Sequence, residues 1–223
     1  MIPNLIVMLT HNDKTVVNAA QVFAECRNAP AKYWGFKEVG IPLDEMKALC
    51  TDMKAAGKTT FLEVVAYTEE DCLAGAKMAV ECGFDGLMGT LFFDSINEYT
   101  KNNNILYMPF VGKIEGRPSV LSGTVEEMID EANELIAKGV HGIDLLGYRY
   151  VGDAVKLNKE FVAAIKPKAP VCLAGSISSF ERLDEVKAAN PWGYTIGGAF
   201  FENKFGGTFA EQIEKVVQYM QQP

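Results

Sequence analysis

Two periodicities alternate along the chain. Short, almost continuous apolar runs recur at 4–10 (NLIVMLT), 32–37 (KYWGFK), 59–66 (TTFLEVVA) and 84–92 (FDGLMGTLF). They continue at 105–113 (ILYMPFVGK), 140–148 (VHGIDLLGY), 170–175 (PVCLAG) and 193–198 (GYTIGG). Runs of this kind mark strands buried on both faces. Between them lie longer stretches whose apolar residues return every three or four positions. Leu43, Met46, Leu49 and Met53 form one, and Val125, Met128, Ile129, Ala132, Leu135 and Ile136 another. That spacing lines one face of a helix. With the last segment, 208–221, the pattern predicts eight strands, each followed by a helix or helix-like crossover.

The element ends carry their own chemistry. Thr124–Glu127, Ser178–Glu181 and Thr208–Glu211 each fit a capping box, in which hydroxyl and carboxylate satisfy orphan amides reciprocally. Gly57, Gly83 and Gly139 each stand between a helical pattern and the next apolar run, where a left-handed cap is expected. Strict alternation of this kind predicts a parallel sheet covered by helices. Eight units within 223 residues fit a compact, single-domain (β/α)8 TIM barrel spanning 1–223. An open doubly wound sheet would need a glycine-rich fingerprint after the first strand, and Thr10-His11-Asn12-Asp13 is not one.

Composition narrows the function. No apolar run approaches the ~20 residues of a membrane span, and the first residues lack a signal peptide's basic flank, so a cytoplasmic protein is expected. The net charge of −8 disfavours nucleic acid as a partner but permits a small anion at a locally positive site. Cys26, Cys50, Cys72, Cys82 and Cys172 show no paired spacing and read as buried reduced thiols. His11 and His141 are not spaced as metal ligands, and no cofactor fingerprint is present; neither metal nor cofactor is expected. A homo-oligomer is left open.

Such barrels build their sites at the carboxyl ends of the strands. The seventh and eighth strands end in Gly175-Ser176-Ile177 and Gly197-Gly198, small residues that let main-chain amides approach a ligand, and a helix follows at once. Together these turns predict a phosphate cradle. Charged residues at the other ends supply the candidate chemistry. Alternation puts Glu63 with Phe61 and Val65, and opposes Asp144 and Leu146 to Ile143 and Leu145, so Glu63 and Asp144 are expected to face the lumen. Lys37 and Lys113 stand near the ends of the second and fifth strands, and His11 just after the first. Arg149 and Thr90 are candidate substrate contacts, and His141, before strand six, reads as structural.

Carboxylates beside ammonium groups suit proton transfer next to a carbonyl: Asp144 or Glu63 as acid/base, a lysine steadying the enediolate, His11 as a further acid/base group. Proton transfer of this kind would isomerise or epimerise a small phosphorylated metabolite. A lysine of lowered pKa, Lys113 first and Lys37 second, would instead give Schiff-base aldolase chemistry. A non-catalytic phosphometabolite sensor would need the cradle but not the charged lumen.

"GIDLLGYRYVGD", "PVCLAGSISSFERLDEVK" and "YTIGGAFFENKF" resemble the second half of the ribulose-phosphate-binding (β/α)8 barrels, nearest to the histidine-biosynthesis carboxamide ribonucleotide isomerases. The resemblance covers roughly residues 136 to 205. It implies phosphate binding by Gly175, Ser176, Gly197 and Gly198, and an acid/base role for Asp144. The chain departs from that family in two places. Ile6–Thr10 holds no carboxylate, although Asp13 follows, and Val65-Ala66-Tyr67-Thr68-Glu69 holds no second glycine-rich phosphate loop. These departures point to a small sugar or related metabolite with one phosphate, and the resemblance itself implies an isomerase or epimerase in preference to an aldolase.

Overall fold

Residues 2–222 are described by the structure, a computed structural model. Its eight main strands are β1 (Asn4–Met8), β2 (Tyr33–Lys37), β3 (Thr59–Val64), β4 (Gly86–Gly89), β5 (Leu106–Met108), β6 (Ile143–Leu145), β7 (Val171–Leu173) and β8 (Gly193–Ile196). All pair in parallel, in the order β6-β7-β8-β1-β2-β3-β4-β5. The two ends of that row meet. His141 N donates to Tyr107 O at 2.9 Å and Asp144 N to Pro109 O at 3.0 Å, and Phe110 bridges Asp144. Pro109 has no amide hydrogen to offer, so β6 supplies the donors at this seam. The sheet is thereby closed into a (β/α)8 barrel.

Around it stand α1 (Ala19–Cys26), α2 (Leu43–Ala55), α3 (Glu69–Cys82), α4 (Asp94–Asn102), α5 (Val125–Ala137), α6 (Ala154–Ile165), α7 (Phe180–Ala189), the single turn α8 (Gly198–Phe201) and α9 (Phe209–Gln221). Both expected capping boxes at Thr124 and Thr208 are formed. The third is displaced by one residue. Ser179, not Ser178, caps α7, accepting from Arg182 N, because Ser176–Ser178 are spent on the turn leaving β7. Gly57, Gly83 and Gly139 all adopt left-handed conformations. No helix among the described residues is long and apolar enough to cross a membrane.

Strand alternation sorts the apolar residues into two cores. Leu5, Val7, Trp34, Phe36, Leu62, Leu145 and Leu173 pack outward under the helices. Ile6, Met8, Phe61, Met88, Met108 and Cys172 turn inward and plug the lumen, with Tyr33 and Trp192 packed against them. Each of the large plug side chains stabilises the fold by about 1.5–3 kcal/mol on burial. Gly86 makes room for this plug: a Cβ there would lie 2.4 Å from the Phe61 ring. The lumen is therefore filled below and opens at its carboxyl end.

Two expected strands end early. The run 105–113 is regular strand only to Met108; it pairs once more at Phe110, and the chain then folds into an antiparallel hairpin, Lys113–Glu115 with Val120–Ser122. The run 140–148 stops at Leu145, and Gly147–Arg149 forms a 3-10 turn.

Candidate active site

At the carboxyl end of the barrel a cleft of about 650 Å³ opens above the apolar plug. Its floor and walls hold Met8, Lys37, Glu63 and Thr195 from the strands, His11 and Asp13 from the turn after β1, and Arg149, Gly175–Ser178 and Gly197–Ala199 from the last three strand ends. A volume of this size suits a single small metabolite.

Lys37 is the centre of its charge. It projects inward from the end of β2 and is 6% exposed. Its ammonium is ion-paired with Asp13 Oδ1 and lies 4.0 Å from Glu63 Oε2. Asp13 reaches it because Thr10–His11 and Lys14–Thr15 form a tiny hairpin whose two central residues, Asn12 and Asp13, both take positive φ. Burial pulls the Lys37 pKa down, but Glu63, and then the hydrogen bond and charge of Asp13, outweigh it and hold the pKa above the ordinary lysine value. The side chain stays charged.

Asp144 also points into the lumen, level with Cys172 on β7. It is fully buried, beneath the cleft, and neither carboxyl oxygen has a hydrogen-bond partner among the described residues. Burial first, and the charge of Glu63 second, raise its pKa well above the usual carboxylate range, with Lys37 opposing. One ammonium already faces two carboxylates here, so a third negative charge is disfavoured and the balance at Asp144 is tilted toward the protonated form.

Opposite these groups, β7 and β8 end in two facing turns. Gly175 and Ser176 both have positive φ, at 90° and 47°. The main-chain amides of Ser176, Ile177 and Ser178 have no acceptor among the described residues, nor do those of Gly198 and Ala199 at the start of α8. Such convergent, unpaired amides make an anion-binding concavity. The stem of Arg149 covers Gly175: a Cβ on that glycine would stand 2.8 Å from Arg149 Cγ. The turn carrying Arg149 is held from behind by Tyr148, whose ring lies 4.3 Å from the Arg182 guanidinium.

Of the residues expected at the site, Lys37, Glu63, His11, Arg149, Gly175, Ser176, Ile177, Gly197 and Gly198 are brought together around the cleft. His11 Nε2 lies 3.4 Å from Glu202 Oε1, at the rim. Asp144 lies in the lumen but below the cleft. Two residues lie elsewhere. Lys113 belongs to the hairpin after β5 and is exposed to solvent, since the chain leaves the barrel wall beyond Phe110, at the turn of Gly112. Thr90 is wholly buried and shares a hydrogen bond of 2.7 Å with Tyr107 Oη. Gly89 and Thr90 both have positive φ, which breaks the strand alternation and turns the hydroxyl toward the outer core. Asp13, expected only as a residue following β1, proves to be the direct partner of Lys37. Arg117, carried across the mouth by the hairpin tip, gave no signal in the local pattern.

No protein-family model matches the sequence, and no curated protein matches it significantly. Solved structures match the fold along the whole chain. The thiamine phosphate pyrophosphorylase from Pyrococcus furiosus aligns with a TM-score of 0.68 and 15% identity, over 99% of this chain and 96% of its own. The N-(5'-phosphoribosyl)anthranilate isomerase from the same organism aligns at 0.68 and 13%, over 98% of each chain. The tryptophan synthase alpha chain from Legionella pneumophila aligns at 0.69 and 12%, over 98% of this chain and 91% of its own. This is a (β/α)8 barrel of the architecture those proteins share. At such identities the likeness is one of fold.

Proposed function

We propose that the chain is an enzyme that moves a proton next to a carbonyl in a small monophosphorylated, sugar-like metabolite, as an isomerase or epimerase. The observation that carries this reading is the Asp13–Lys37–Glu63 cluster, placed across the cleft from the unpaired amides after β7 and β8. Phosphate-handling names among proteins of the same fold, including an isomerase, agree with it by analogy.

The cradle and Arg149 would hold the phosphate and so fix the carbon chain over Glu63. Glu63, which reaches the cleft where Asp144 does not, takes the proton from the carbon beside the carbonyl. The electron pair moves onto the carbonyl oxygen, and the Lys37 ammonium stabilises the enediolate that forms. Returning the proton to the former carbonyl carbon, while the neighbouring hydroxyl's proton passes to the former carbonyl oxygen and a new carbonyl forms in its place, completes an isomerisation. Return to the same carbon from the other face gives epimerisation, for which His11 is the remaining acid/base candidate. Asp144, neutral beneath them, adds no further negative charge that would oppose the enediolate.

The charged layer separates this reading from its rivals. A Schiff-base aldolase needs a free amine, but Lys113 lies outside the cleft and the carboxylates around Lys37 keep it protonated. A sensor of phosphometabolites has no use for a buried Lys37–Glu63 pair. The test is hydrogen exchange in deuterated water, followed by NMR over a panel of aldose and ketose phosphates. Deuterium entering the carbon beside the carbonyl, and lost in Glu63→Gln, is the expected result. A lysine adduct trapped by borohydride, or no exchange with any phosphorylated carbonyl compound, would overturn it.

A further inference from the structure

The hairpin after β5 does more than connect. Its tip, Gly116-Arg117-Pro118-Ser119, is tied to the loop after β3 by Tyr67, whose hydroxyl contacts Gly116 O at 2.9 Å and Ser119 Oγ at 2.8 Å. Arg117 is fixed on the same side: Nη2 donates to Val65 O at 2.9 Å, and the guanidinium lies 6.0 Å from the Tyr67 ring centroid. Arg117 and Pro118 thus line the cleft from the end of β3. Counting round the barrel from β7 through β8, β1 and β2 to β3 is four steps of eight. Arg117 therefore stands diametrically across the mouth from the amides that follow β7.

Charge makes this position unusual. The chain carries 29 Asp and Glu against 21 Lys and Arg, and two other basic groups of the cleft already face carboxylates, while Arg149 stands over the cradle. Lys37 has two carboxylates and His11 faces Glu202. Arg117 has no carboxylate within ion-pair distance among the described residues, although it is already held in place by the bond to Val65 and the Tyr67 ring. A guanidinium uses one donor in that bond and keeps four. A preorganised, unpaired guanidinium is the group that recognises a planar carboxylate in two-pronged fashion.

We infer that Arg117 is a specificity residue for a carboxylate at the end of the substrate opposite its phosphate. The substrate class is then a phosphorylated sugar acid, or another metabolite with phosphate and carboxylate at its two ends. This rests on the phosphate reading of the β7–β8 turns and deepens it. It also gives the hairpin a purpose, since the hairpin is what brings a cation to the far wall.

A matched pair of probes tests it. 6-Phosphogluconate and sorbitol 6-phosphate have the same chain and phosphate and differ in the carboxylate at C1; inorganic phosphate is the third probe. By calorimetry, wild type is expected to bind 6-phosphogluconate more tightly than sorbitol 6-phosphate by at least about tenfold, the scale of one charge-assisted contact. Arg117→Gln should erase that preference while leaving the affinities for sorbitol 6-phosphate and inorganic phosphate unchanged, which also shows the variant to be folded. Equal wild-type affinities for the matched pair, or a preference that survives in Arg117→Gln, overturn the inference and leave the cradle standing. Failure of all three probes to bind overturns the cradle, and the inference with it.

Discussion

Lys37 and Glu63 occupy paired positions on adjacent parallel strands, and Lys37 Nζ lies 4.0 Å from Glu63 Oε2. Both side chains rise from the open end of a lumen whose lower part is filled with Met, Phe and Ile. The pair is thus set at the boundary between apolar plug and cleft, where water is scarce and a developing negative charge is strongly felt.

The first prediction follows from that boundary. Glu63→Gln keeps the shape and removes the base, so turnover of an accepted substrate should fall roughly 10²–10⁴-fold, the usual contribution of a general base. Substrate affinity should hold, because the amide cradle lies on the other wall. A variant that lost affinity and kept its turnover rate would show Glu63 to be a binding group.

The protonated state of Asp144 gives a dependence of stability on pH. Its folded pKa is raised, first by burial and then by Glu63, so above the ordinary Asp value of about 3.9 the native state binds more protons there than the unfolded chain. That group therefore costs stability increasingly as pH rises through the window between its unfolded and folded pKa values. Asp144→Asn removes this dependence. Denaturant titrations from pH 4 upward should find the variant gaining on wild type as pH increases; a difference that stays flat, or shrinks, would mean Asp144 is ionised in the fold.

Thr90 separates a structural role from the expected one. Its hydroxyl is paired with Tyr107 Oη in the outer core. Thr90→Val should therefore destabilise the protein by about 1–2 kcal/mol through the lost hydrogen bond. It should leave phosphate binding unchanged, as should Lys113→Ala. Altered ligand affinity in either variant, measured by calorimetry beside a thermal melt, would return that residue to the site.

The barrel and much of its cleft are legible in the sequence for a physical reason. Strands buried on both faces must be continuously apolar, so a Glu or Asp inside such a run is forced into the lumen; parity places Glu63 and Asp144, and Lys37 is legible from its position at the end of the second run. The turns after β7 and β8 are legible because close main-chain approach demands small residues. Lys113 and Thr90 mislead because the strands stop short of the ends of their apolar runs: the chain leaves the wall at Gly112 in one case, and positive φ at Gly89 and Thr90 rotates it in the other. Asp13 and Arg117 depend on hairpins that fold back over the mouth. A local pattern records that a hairpin can form, but not which distant wall its tip will meet.

Behind the cradle, Gly147 and Asn158 offer a test of how the Arg149 turn is held. A Cβ at Gly147 would lie 1.8 Å from Asn158 Oδ1, and Asn158, on α6, is 1% exposed. So deeply buried an amide has little room to swing aside. Gly147→Ala should cost about 1–3 kcal/mol by overpacking and should weaken phosphate binding, since the displaced turn carries Arg149 away from Gly175. Truncating the obstacle should undo this. In the double variant with Asn158→Ala, the total cost should fall short of the sum of the two single-variant costs by about 0.5–3 kcal/mol, the range for residues in contact, and phosphate affinity should recover. Strict additivity in denaturant melts, or affinity that stays low in the double variant, would mean the glycine serves the turn's backbone and not the space that Asn158 fills.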